Sequence, residues 1–80
     1  MNDIETRLME CLQTVFPGVP AAELTEASVQ TLEQWDSLAT VTIVALVEEQ
    51  FGIEVEPDDL TRFDSFAHIA AFLASRPGSA

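Results

Sequence analysis

Residues 37–51, SLATVTIVALVEEQF, run without glycine or proline, and their apolar side chains fall on both sides of a helical wheel. At about 100° per residue, Ala39, Ile43, Val44, Leu46, Val47 and Phe51 share one broad arc, which is expected to face a core. The opposite arc holds Leu38, Val41, Thr42, Ala45, Glu48 and Glu49, so that three apolar residues at i, i+3 and i+7 sit beside two carboxylates. An 80-residue chain makes one domain with one small core and cannot bury such a helix all round. Either the row Leu38, Val41, Ala45 is an exposed patch kept for a partner, or the long segment before the helix folds over it.

The neighbouring segments predict what supplies the core. Ile4, Leu8, Cys11, Leu12 and Val15 follow the spacing of a first helix with a single apolar stripe, capped by Asn2 or Asp3 and ended at Pro17-Gly18. Residues 17–36 carry Pro17, Gly18, Pro20 and several hydroxyl residues, and their apolar anchors Leu24, Val29, Leu32 and Trp35 are too irregular for a long helix. They are expected to form a long loop, and loops of that length in compact domains are commonly functional. The second helix stops at Gly52, and "IEVE" follows as a short extended link. Pro57 opens a short helix through about Thr61, with Asp58 and Asp59 at its positive end. A last helix, capped by Asp64 or Ser65, carries Phe66, Ile69, Ala70 and Leu73 on its apolar face. There are no internal repeats and no strand hairpin. The expected fold is all-α, a four-helix bundle of three longer helices and one short one with a long loop between helices one and two. Its core spans about 4–74, and 75–80 form a flexible tail.

Charge narrows the function. Fourteen acids against three arginines, with no lysine, give a net charge of -11, while 48% hydrophobic residues place the chain among folded domains. Such a chain cannot neutralise a phosphate backbone or an anionic leaflet, so nucleic acid and membrane are not expected partners and basic protein surfaces are. The single cysteine, Cys11, lies on the first helix's apolar stripe and reads as a core thiol. The opening MNDIETRLME has no basic and then apolar character, and no apolar run reaches spanning length, so a cytoplasmic, monomeric protein is expected.

Ser37 opens the second helix, with Asp36 before it as N-cap. A hydrolase would need His68, the only histidine, as base for Ser37, and so short a chain leaves little room for an oxyanion hole and a cleft as well. No metal site is expected either, since Glu54, Glu56, Asp58 and Asp59 lack the order of a calcium loop. An exposed hydroxyl at a helix N-terminus suits another role. A phosphate attached there meets free backbone N–H groups and the positive end of the helix dipole.

With that serine placed, WDSLATVTIVALVEEQFGIEV, preceded by a long loop and followed by DDL and FDSFAHIAAFL, resembles the acyl carrier protein family over about residues 4–74. The likeness rests on Asp36-Ser37-Leu38 opening the second helix, with Glu48-Glu49, Phe51 and the Ile53/Val55 link behind it. The resemblance implies a free-standing carrier with no catalytic activity of its own, on which Ser37 holds 4'-phosphopantetheine. The arm is transferred from coenzyme A by a phosphopantetheinyl transferase (carrier protein synthase), and its thiol carries acyl, polyketide or aminoacyl cargo as a thioester. It also implies as partners a loading ligase for acyl or aminoacyl groups and downstream synthase or transferase enzymes with basic docking patches. Leu38, Val41, Thr42 and Ala45 would make the contact, with Glu48 and Glu49 steering. Many fatty acid carriers place acids two and five positions after the serine, where this chain has Ala39 and Thr42, and a small residue where Trp35 stands. A specialised carrier is therefore expected. The rival reading is a non-carrier acidic helical adaptor that binds a partner protein through the same row.

Overall fold

The computed structural model describes residues 2–75, all of them helix, turn or loop apart from one isolated antiparallel bridge between Ser28 and Ser65. Asp3–Val15 form α1, whose apolar side chains gather on one face and bury Leu8, Met9, Cys11 and Leu12. Asn2 is its cap: the Asn2 side chain accepts from the Glu5 N–H at 2.8 Å and the Glu5 carboxylate accepts from the Asn2 N–H at 3.1 Å. Ser37–Phe51 form α3 and Phe66–Ser75 form α4. Helix α1 is the element on which both pack. Phe66, Ile69, Phe72 and Leu73 of α4 are buried, and Ser65 caps that helix by accepting the His68 N–H at 3.0 Å. The expected tail falls on residues 75–80, of which 76–80 lie outside the described residues.

The all-α class holds, but the arrangement of short pieces differs from the expected three long helices and one short one. The connection at 17–36 contains a four-residue helix, α2, Ala21–Leu24, which begins after Pro20 and buries Leu24 against α1. Ala-Ala-Glu are strong helix formers, and one fully buried leucine suffices to hold a single turn in place. The short element at Pro57–Arg62 is a 3₁₀ turn rather than an α-helix. The Asp59 carboxylate accepts the Glu56 N–H at 3.1 Å and the Glu56 carbonyl accepts the Asp59 N–H at 2.9 Å, closing it within one tight turn.

Loop 17–36 is tied down by its backbone rather than left to wander. Val29 N–H donates to the Asp64 carbonyl at 2.9 Å and Phe66 N–H to the Ala27 carbonyl at 3.0 Å, fixing the loop to the start of α4. Arg7 fastens the far end of α3: its guanidinium lies 4.4 Å from the Phe51 ring centroid and donates to the Gln50 carbonyl. Gly52 then ends α3 in the left-handed region at φ 64°, where a Cβ would be strained, and its N–H returns to the Glu48 carbonyl.

Candidate functional site

Trp35 determines where Ser37 sits. Its side chain is 2% exposed, its ring meets Phe16 of α1 at 5.8 Å between centroids, and its indole N–H donates to Thr40 Oγ1 at 3.1 Å. Thr40 in turn donates to the Asp36 carbonyl at 3.1 Å, so the two residues before the serine are held by the core and by the first turn of α3 together. The Asp36 carboxylate accepts the Ala39 N–H at 2.9 Å, which makes it the expected N-cap. Ser37 is exposed on the first turn. Among the described residues its hydroxyl has no hydrogen-bond partner, and neither its own N–H nor that of Leu38 has a protein acceptor. An oxygen at the positive end of a fifteen-residue helix is thus left free, beside two free donors.

The two faces of α3 separate largely as the wheel requires. Ala39, Ile43, Val47 and Phe51 are buried, while Val44 and Leu46, expected on the core arc, are only half-buried at its edges. On the other side Leu38 is 75% exposed and Val41 63%, and Thr42, Ala45 and Glu49 are exposed with them. The loop does not cover the row: Leu24 and Trp35 are buried on the α1 side and the backbone at Ala27 and Val29 is bonded to the start of α4, while Val29, expected as an anchor, is itself exposed. Glu48 departs from the rest of its face. It is half-buried, and its carboxylate accepts the Val55 N–H at 2.8 Å, holding the link after Gly52 against the helix.

The spacing gives no sign of two further apolar residues at the surface, Leu60 and Val29. Each stands alone among polar neighbours in sequence, and an isolated apolar residue has no periodicity to reveal its side. The groove bounded by Thr14, Val15 and Phe16 at the end of α1 and by Leu38, Ala39 and Thr42 on α3 is likewise a product of packing. His68 is exposed on α4, its ring nitrogen 2.6 Å from Asp64, and no hydrogen bond joins it to Ser37. Cys11 is buried in α1, and desolvation, reinforced by the Glu10 carboxylate, pushes its thiol above the ordinary value. No helix among the described residues is long and apolar enough to cross a membrane.

Comparison with known proteins meets this geometry at one point. Searches of curated proteins and of solved structures find no match. A family model described as the phosphopantetheine attachment site matches residues 6–73, from the second residue pair of α1 to within two residues of the end of α4, with the exposed serine inside it. A match over most of the chain places it in the phosphopantetheine attachment family, the carrier domains defined by a 4'-phosphopantetheine prosthetic group.

Proposed function

We propose that this chain is a free-standing acyl carrier protein, without catalytic activity of its own, and that Ser37 bears its arm. One observation carries the assignment of the residue: within the span that matches the family, Ser37 offers an exposed hydroxyl with no competing partner at the N-terminus of α3. The residues fit the group. The unpaired N–H groups of Ser37 and Leu38 would be available to a phosphodiester on Ser37 Oγ, and the dipole of α3 would favour its negative charge. During loading a transferase removes the serine proton, an O–P bond forms to Ser37, and the pyrophosphate bond of coenzyme A breaks, with adenosine 3',5'-bisphosphate as the leaving group. Once attached, the arm supplies a thiol that holds cargo as a thioester.

The chain's own residues present that arm. Asp36 and Trp35 fix the first turn of α3, so the attachment point does not wander with the loop. Leu38, Val41, Thr42 and Ala45 form the docking row alongside it, and the net charge of -11 favours encounter with basic enzymes such as loading ligases and synthases. Ala39 and Thr42, where many fatty acid carriers have acids, support a specialised acyl, polyketide or aminoacyl carrier. A cytoplasmic, monomeric state goes with this reading. The test is intact mass after incubation with coenzyme A and several broad-specificity phosphopantetheinyl transferases. The wild-type chain gains one phosphopantetheine and a folded Ser37→Ala gains none. Modification of Ser37→Ala, or an unmodified wild type with every transferase, overturns the assignment and leaves the acidic adaptor as the better reading.

A further inference from the structure

Ser37 stands at the edge of the groove between the end of α1 and the first turns of α3, for Asp36 and Leu38, its two neighbours in the chain, both line it. The groove holds about 370 Å³, within the range of small-molecule clefts. Two other cavities of the fold, one beside Arg62 and Phe72 and one beside Glu23 and Leu32, take no residue from α3. The apolar lining is Val15, Phe16 and Leu38. Thr14 donates to the Glu10 carbonyl and Thr42 to the Leu38 carbonyl, each at 3.0 Å, so both hydroxyls have spent their protons and can only accept. Asp36 gives one carboxylate oxygen to the Ala39 N–H and keeps the other. Gln34, which completes the lining, is exposed, and among the described residues its side-chain amide has no hydrogen-bond partner. It offers both donors and an acceptor.

Such a cleft suits a neutral chain with apolar branches and amides better than an anion, which the free Asp36 oxygen and the net charge of -11 repel. Beyond its phosphate, the pantetheine arm is a chain of that kind, with a gem-dimethyl group, a hydroxyl, two amides and no charge. We propose that this groove is the arm's resting cradle: Val15, Phe16 and Leu38 receive the gem-dimethyl segment and the Gln34 side chain pairs with one amide. The inference rests on Ser37 as the attachment residue. Tethering makes a weak contact sufficient, because a short flexible link holds the arm beside the groove at an effective concentration in the millimolar range. Gln34 is thereby a positioning residue that draws the arm toward α1.

Isotope-filtered NMR tests this on labelled protein carrying an unlabelled arm, with the apo-protein as reference and peptide mass mapping to locate the arm. Nuclear Overhauser contacts are expected from the gem-dimethyl protons to the methyl groups of Val15 and Leu38, together with loading-induced shifts of the Thr14, Val15 and Gln34 amides. Gln34→Leu, an exposed change of similar size, should melt like wild type and reduce the shifts on α1 roughly two-fold or more, as expected for one lost hydrogen bond. The wild-type contacts decide the cradle whether or not this variant folds. An arm that touches only Val41, Ala45 or the Pro57–Arg62 turn, or touches nothing, leaves the groove empty or open to a partner's side chain and overturns the inference, with the carrier reading intact. Undiminished shifts in a folded Gln34→Leu overturn the role of Gln34. An arm gained at a residue other than Ser37, or at none, overturns both readings.

Discussion

The two faces of α3 can be set against each other with Val41→Glu and Ile43→Ala. Ile43 is fully buried, and truncating it to alanine removes three carbons from the packed face against α1. Such cavities cost about 2–5 kcal/mol. An 80-residue domain has about 4–12 kcal/mol in all, so Ile43→Ala removes a large share of it. At about 4–8 °C per kcal/mol for a domain of this size, the melting temperature falls by roughly 10 °C or more. Val41 is 63% exposed, so only about a third of the roughly 1.5–3 kcal/mol available from burying a valine is at stake. Glutamate recovers a few tenths as a better helix former. The melting temperature of Val41→Glu therefore drops by under about 5 °C, while its loading rate falls more than about tenfold because a charge is forced into the docking contact. Melts followed by circular dichroism and loading followed by intact mass measure both quantities on the same samples. If Val41→Glu melts as low as Ile43→Ala, the face is covered in solution and the reasoning fails. If it folds and loads like wild type, docking occurs elsewhere on the molecule.

Other outcomes follow from single interactions. The chain has no tyrosine or lysine, so Cys11 is the only side chain that titrates in the alkaline range below arginine. Its folded value lies above the ordinary 9.0, through burial first and the Glu10 carboxylate second, so the native state keeps a proton that the unfolded chain releases. The thiol's contribution is full below about 9 and is lost as pH rises through the folded value, so apo-protein stability declines there. Urea melts should show that decline and its absence in Cys11→Ala; an identical decline in the variant refutes the attribution. The same burial keeps Cys11 from reacting with Ellman's reagent in the native state, so a native holo-protein titrates as one thiol, that of the arm. Asp36→Ala loses the cap on the Ala39 N–H and about 0.5–2 kcal/mol, which Asp36→Ser restores in large part; equal melting of all three chains would show that the cap contributes nothing. Added salt should raise the melting temperature, because the net charge is -11 and the one Arg–carboxylate pair among the described residues is a loose Arg7–Asp3 contact at 3.8 Å; a flat melt from about 10 to 300 mM salt contradicts this.

Some of this protein is decided by spacing alone. The 3.6-residue period places Leu8, Cys11 and Leu12 inside α1 and Ile43, Val47 and Phe51 inside α3, because a helix turns its side chains at a constant angle whatever it packs against. Asp36 as cap and Gly52 as stop are local too, for each acts on backbone groups within a few residues. The exposed serine is legible for the same reason. Side chains that act across the fold are not. Trp35 reads in sequence as an irregular apolar anchor, and only the approach of Phe16 from α1 shows that it positions the first turn of α3. Glu48 has the composition of a docking acid, yet Val55, seven residues on, takes its carboxylate once Gly52 has turned the chain back. Whether loop 17–36 folded over Leu38 and Val41 or left them exposed was open in the sequence, since spacing along the loop does not state where its chain runs. The hydrogen bonds from Val29 and Phe66 settle it by joining the loop to the start of α4. An apolar residue's periodicity states which side of its own helix it occupies, and the tertiary fold alone decides which of those sides meets another element and which is left for a partner.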